Sequence, residues 1–573
     1  MGRQTPTGTT TVQIGPLGTA TCLSYDDGVR NILGVPYGRL AKRWTRATLA
    51  DSWPDNKHDG TKLGPRSHGI ASHEASIDND LAVPVPDHPL IPRPAPSELG
   101  CLNLNIALPP LPAGHDPNTL LPVIIYIHGG AFCFGSGGTA NNDGAHFAGY
   151  SSTQGKPCIY VTINYRLGLG GFLASQVIKD ELARDGFAGV GNFALTDQQL
   201  AVQWVTRYIS HVGGDPGNVT LMGQSAGAAS VGHLMLARGA EGDEAPGFQR
   251  AVLLSGAVDT IENWPLEMWE KKYQAVLRYF GIENGPDELE QLRRVPEVDV
   301  ANATEDIDGG QRGVVMNLCA DGWFHSPAIF SKEQLLNNPV LTKWTPPKWL
   351  KSLMVGDVRQ EGLIWRGKLM NRDRGYDWYH NVLSQHVGSD DLATTILAEK
   401  YGAKKESPAG SEELSVPLEN LCADVLFKIP VINMADKASQ AAHSPAVYGY
   451  HFDRPSTADN VLKGLAHHSV DNIYGHLNAL DIMTPEQAAL AHRIADDWLD
   501  FAYGEKDPWD KYSQGGERKW MIYEPDDSWR VKSEQEDEAV RGYERMRWML
   551  DESLYEKVYK AACFWLAPNL PYA

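Results

Sequence analysis

Asn218-Val219-Thr220-Leu221-Met222-Gly223-Gln224-Ser225-Ala226-Gly227-Ala228-Ala229-Ser230-Val231 is the stretch whose reading decides the fold. Asn218 to Met222 is a short apolar run and predicts a strand. Ala226 to Val231 is rich in small residues and predicts the start of a helix. Between them stands G-x-S-x-G, the nucleophile elbow, a strained strand-to-helix turn that lifts a serine hydroxyl to the top of a sheet. Gly223 and Gly227 suit it because larger side chains would clash where the turn packs on neighbouring strands. The bare pattern is common; its flanks make it chemical and single out Ser225 as the candidate nucleophile.

Outward from the elbow the same architecture repeats. Val123-Ile124-Ile125-Tyr126-Ile127, residues 157–163, Ala251-Val252-Leu253-Leu254 and residues 349–355 are continuous apolar runs, as expected of strands buried on both faces of a parallel sheet. Helical spacing lies between them, as at residues 196–209, with Leu200, Trp204 and Tyr208 on one face. Strands alternating with helices predict a doubly wound α/β fold, whose ligands bind at the carboxyl ends of the strands. The chain is read as one domain over 1–573, with a helical insertion at 262–340 covering the sheet and a C-terminal helical extension at 531–573. The proline-rich stretch 83–96 reads as a stiffened surface loop rather than a linker.

Composition removes several classes. A net charge of −20 and a pI near 5.3 exclude the basic clustering that nucleic acid requires. The apolar run at 120–127 is too short to span a bilayer. Seven scattered cysteines form no C-x-x-C pair, so no metal site is expected. The polar opening Met1-Gly2-Arg3-Gln4-Thr5-Pro6 shows no apolar signal segment, and a cytoplasmic protein is expected.

Acyl transfer builds an oxyanion and needs backbone N–H groups aimed at it. Ile127-His128-Gly129-Gly130-Ala131-Phe132 follows a strand and is the H-G-G-[GA]-F loop type that supplies them. Gly135-Ser136-Gly137-Gly138 lacks the Lys-Ser/Thr of a P-loop and the spacing of a dinucleotide fingerprint. His128 is read as structural, since the base in this architecture comes late in the chain. At this point the chain resembles the type-B carboxylesterase/lipase family, the carboxylesterase–cholinesterase branch of the α/β-hydrolase fold. The shared wording runs through Gly34-Val35-Pro36-Tyr37, His128 to Phe132, Asn164-Tyr165-Arg166, Gly191-Asn192, Asp197-Gln198, Gly213-Gly214-Asp215-Pro216, the elbow, and Trp498-Leu499-Asp500-Phe501-Ala502.

The resemblance implies a Ser-Glu-His triad, ester substrates and no cofactor. Gln360-Glu361-Gly362 looks like the family's D-E-G and places the acid on Glu361, with Asp357 as rival. Gly464-Leu465-Ala466-His467-His468-Ser469-Val470-Asp471 is similar to G-A-x-H-x-x-[DE]. Its His-x-x-Asp relation selects His468, whereas the spacing from Gly464 alone selects His467. The amides of Gly130, Ala131 and Ala226 are the implied oxyanion hole. Phe132, Phe134, Trp323 and Phe324 are candidate substrate contacts, the last two in a D-G segment that resembles one near the family's acyl pocket.

The pattern is also broken in places. Cys101 matches the family's disulfide cysteine, but its partner would fall near Gly64-Pro65-Arg66-Ser67, where there is none. Cys101 is therefore expected to be a buried free thiol, which suits a reducing compartment. No aromatic residue lies between Ser67 and Cys101 to stack on a quaternary ammonium, and Gln224 replaces the cholinesterase glutamate. Choline esters are disfavoured. An acyltransferase with the same triad, an interfacial lipase and a non-catalytic binding module of this fold are the rival readings. The oligomeric state is not legible.

Overall fold

Apolar runs buried on both faces must satisfy their backbone N–H and C=O groups within a sheet. The computed structural model describes residues 5–70, 91–92, 94–116, 118–240, 245–307, 316–326, 344–512 and 516–567. Among the described residues thirteen strands join one sheet. In chain order they are β1 (Gly8–Gln13), β2 (Thr19–Ser24), β3 (Arg30–Pro36), β4 (Lys57–Gly60), β5 (Asn103–Leu108), β6 (Leu121–Ile127) and β7 (Ile159–Ile163). β8 (Gly214–Gln224), β9 (Arg250–Leu254), β10 (Ser352–Val358), β11 (Ala446–Phe452), β12 (Lys519–Tyr523) and β13 (Trp529–Ser533) follow. Their spatial order is β1-β2-β3-β5-β7-β6-β8-β9-β10-β11-β12-β13, with β4 beside β2. From β7 to β12 every neighbouring pair is parallel. The path closes at both margins with antiparallel pairs.

The pleat sends alternate residues to two cores. Val123, Ile125 and Ile127 of β6 join one, while Ile124 and Tyr126 join the other. Helices α1 (Phe193–Tyr208) and α2 (Ala226–Leu234) contribute to the first core. The second takes Leu490, Ile494 and Trp498 from α7 (Pro485–Tyr503), which follows the short helix α6 (Val470–Gly475). A capping box of Thr484 with Gln487 starts α7, and Gly504 in the left-handed region ends it.

Two expected boundaries move. β8 is longer than its apolar run, and β10 begins at Ser352 rather than at 349. Leu350 closes a turn onto the Pro347 carbonyl (3.1 Å), and the Trp349 indole donates to the Ala240 carbonyl (2.8 Å), so both belong to the approach to the strand. Within 262–340 lie α3 (Leu266–Tyr279), α4 (Glu288–Arg294) and α5 (Glu297–Ile307). After β13 come α8 (Glu534–Arg541), α9 (Tyr543–Asp551) and α10 (Tyr555–Leu566). Most of 83–96, and residues 308–315, 327–343 and 568–573, lie outside the described residues. All seven cysteines are free thiols, and Cys101 Sγ is buried 3.1 Å from the Glu98 carbonyl. Among the described residues no helix is long and apolar enough to cross a membrane.

Candidate active site

β8 ends at Gln224 and α2 begins at Ala226, so Ser225 alone makes the turn, at φ 57° and ψ −120°. That conformation is costly for a residue with a Cβ and is held by its surroundings. The Ser225 N–H donates to the Leu254 carbonyl of β9 at 2.9 Å. A Cβ on Gly227 would lie 2.1 Å from the Ile127 carbonyl, and one on Gly223 would lie 2.2 Å from the Gly227 carbonyl. Both positions therefore require glycine. Ser225 is half-buried, and among the described residues its hydroxyl has no hydrogen-bond partner.

The loop after β6 faces the elbow. Gly130, Ala131 and Phe132 have φ values of 110°, 53° and 61°, three consecutive residues in the left-handed region. Their carbonyls are tied down: Cys133 N–H donates to Gly130 (2.8 Å), Met316 N–H to Ala131 (3.0 Å) and Gly168 N–H to Phe132 (2.7 Å). The amides of Gly130, Ala131 and Ala226 donate to no other protein group among the described residues. Ala226 is the first residue of α2, where amides have no intrahelical acceptor and attract negative charge. His128 stacks on Tyr165 (4.4 Å between centroids), and its carbonyl accepts from the Tyr165 hydroxyl at 2.8 Å. Burial pushes its pKa down to about 4, so the ring is neutral and supports the loop.

Glu361 follows β10 and is fully buried, and His468 lies beyond β11. One Glu361 oxygen accepts from the Val358 N–H at 2.9 Å, and the other bonds His468 Nδ1. The two loops are stitched further by Gln360 N–H to the Ala466 carbonyl (2.9 Å) and Ala466 N–H to Gln360 Oε1 (2.7 Å). With the proton on Nδ1, His468 Nε2 is an acceptor. It faces the Gln224 side-chain amide at 3.2 Å, and the same amide donates to Ser469 Oγ at 2.5 Å. His467 bonds the His468 carbonyl (2.9 Å), and burial holds its pKa below the usual histidine value. Asp471 sits beside this pair; burial raises its pKa to about 6, and it accepts from the Tyr450 hydroxyl at 2.7 Å. Asp357 is bonded instead to His451 (2.9 Å) and Arg541 (2.7 Å).

The structure thus joins Glu361 to His468 and sets His468 beside the residue that precedes Ser225. The aromatic candidates are not gathered in the same way. Phe132 is closed into the core against Phe172 (4.7 Å between centroids). Phe324 is buried edge-on to His325, and Trp323 lies under the Arg46 guanidinium at 4.9 Å. Phe134 packs directly beneath Gly130, where a Cβ would meet its ring and carbonyl. In the sequence Gln224 stands out only as a missing glutamate, and the Val358 amide gives no signal at all. Backbone donors leave no trace in side-chain patterns, whereas Gln224 was flagged by its place next to the serine.

A mostly parallel sheet with the elbow after β8, a carboxylate after β10 and a histidine after β11 is the α/β-hydrolase arrangement. The sequence profile of the Carboxylesterase family matches residues 7–548, and the chain belongs to that family. It is a carboxylic ester hydrolase. It is 30% identical over 414 residues to the para-nitrobenzyl esterase of Bacillus subtilis, covering 70% of this chain and 73% of that one. To Lipase 3 of Yarrowia lipolytica it is 26% identical, covering 87% of this chain and 90% of the other. A solved PNB esterase structure superposes with a TM-score of 0.69 at 26% identity, over 92% of this chain and 98% of its own.

Proposed function

We propose that Ser225, His468 and Glu361 act as one unit that hydrolyses esters through an acyl-enzyme. His468 Nε2 takes the proton as Ser225 Oγ attacks the ester carbonyl. The amides of Gly130, Ala131 and Ala226 hold the oxyanion that forms. His468 then gives the proton to the departing alkoxide, and a water molecule repeats the sequence to release the acid. Because the Gln224 amide faces Nε2 in the resting enzyme, attack requires that amide to yield; its bond to Ser469 Oγ gives it an alternative acceptor. Phe134, packed beneath the oxyanion loop, is the aromatic residue best placed to meet an apolar substrate.

The observation that carries the reading is the bond from His468 Nδ1 to the buried Glu361. It fixes the tautomer and leaves Nε2 as a base within one residue of the elbow serine. Ser225→Ala should lose on the order of 10⁴-fold in kcat while its circular dichroism stays unchanged. His468→Ala should be nearly as inactive and His467→Ala should keep most activity, measured on p-nitrophenyl esters from acetate to palmitate. An inactive His467→Ala beside an active His468→Ala would move the base. Product analysis with an added alcohol separates hydrolysis from acyl transfer.

A further inference from the structure

Arg541, the last residue of α8, is fully buried although it comes from the C-terminal extension. Its NH1 donates to Asp357 Oδ1 (2.7 Å) and to the Val358 carbonyl (3.1 Å), and its NH2 bonds Asp453 at the end of β11. Asp537, one turn earlier on α8, lies 3.9 Å from its Nε. The same Asp357 oxygen is shared with His451 (2.9 Å), which stacks on Trp520 and is bonded through Nε2 to the Tyr543 hydroxyl (2.7 Å). An arginine that only fastened α8 to the body would need the Asp453 contact alone. This one grips the two residues whose shared peptide carries the Val358 N–H, and that N–H is the donor to Glu361 Oε1 at 2.9 Å. A continuous path runs from Arg541 through Asp357 and Val358 to Glu361 and on to His468 Nδ1.

We propose that Arg541 is a positioning residue for the catalytic acid: the C-terminal extension sets where Glu361 presents its carboxylate to His468. The inference rests on the reading of Glu361 as the acid. A planar fork suits this role because it fixes a side chain and a carbonyl together, which a lysine ammonium does not. Displacement of a catalytic group by about 1 Å costs on the order of 10²-fold in rate.

The test is steady-state kinetics of full-length Arg541→Lys, alone and combined with Glu361→Gln, with folding followed by near-ultraviolet circular dichroism. The variant should lose roughly ten- to hundredfold in kcat at unchanged KM. The acid limb of its kcat profile should move to lower pH, since a displaced Glu361 stabilises the His468 imidazolium less. Asp471 and His467 also face His468, and neither is bonded to Arg541. In the Glu361→Gln background Arg541→Lys should cost no further activity, because the residue it positions is gone. If Arg541→Lys does not fold, Asp453→Asn, which loosens the NH2 contact alone, should shift kcat and the acid limb in the same directions. Parent-like kcat and acid limb in the folded variant, or an equal loss in both backgrounds, would overturn the proposal. A fully active Glu361→Gln single variant would instead refute the acid itself.

Discussion

Ser225 is held in a left-handed conformation by Gly223, Gly227 and the Leu254 carbonyl, and Gln224 before it points its amide at His468 Nε2. A neutral amide there leaves the charge balance of the histidine to Glu361 and to the neighbouring Asp471. Gln224→Glu would place an anion about 3.2 Å from Nε2, favouring the imidazolium. The neutral base would then appear only at higher pH, so the acid limb of kcat/KM should move up, by about one unit or more for a buried pair. A pH–rate profile superimposable on the parent would show that Gln224 does not face the working base. The serine and its turn were legible in the residues, because G-x-S-x-G requires small neighbours wherever it folds. The partner of Gln224 was not legible, because it lies 244 positions away and only the approach of the loops after β8 and β11 brings it near.

At the scale of elements, the elbow works because β6 and α2 approach until only hydrogen fits at residue 227. Gly227→Ala should cost on the order of 3 kcal/mol of stability through overpacking against the Ile127 carbonyl, read as a lowered urea midpoint. It should also reduce activity by shifting Ser225. The interior strands were legible since runs such as Val123 to Ile127 are apolar at every position. The start of β10 was not, because Trp349 and Leu350 are apolar for a different reason: they pack and turn ahead of the strand. Phe132 shows the same ambiguity, since an aromatic residue beside an active-site motif reads alike whether it lines a pocket or fills a core. Helix α6 carries a second consequence. Its C-terminal neighbour His476 receives the Tyr160 hydroxyl and bonds the Asn472 carbonyl, both at 2.8 Å, and burial lowers its pKa from 6.5 to about 4. Between those values the unfolded chain binds a proton that the native state refuses, so stability is lost as pH falls through the window. At about 1.4 kcal/mol per pKa unit the loss approaches ~3 kcal/mol, and His476→Gln should flatten the fall in thermal midpoint between pH 6.5 and 4. The comparison is with the parent at each pH, because Glu98 and Asp497, whose burial raises their pKa values to about 7, slope the opposite way.

At the scale of the whole molecule, the sheet order brings together residues spread over most of the chain. The ends of β6, β8, β10 and β11 lie along one edge of the sheet, with β9 between β8 and β10, and their following loops carry Gly130 and Ala131, Ser225, Glu361 and His468 in turn. Parallel pairing from β7 to β12 is what puts all four carboxyl ends at one edge. The antiparallel margins flank that parallel core, and α8, α9 and α10 follow β13. The proposed acyl-enzyme needs one nucleophile, and the most direct measurement is peptide mapping of the enzyme after reaction with a fluorophosphonate. A single phosphonyl adduct on Ser225, absent from Ser225→Ala and strongly slowed in His468→Ala, is the predicted result. An adduct on any other residue, or equal labelling of Ser225→Ala and the parent, would contradict it.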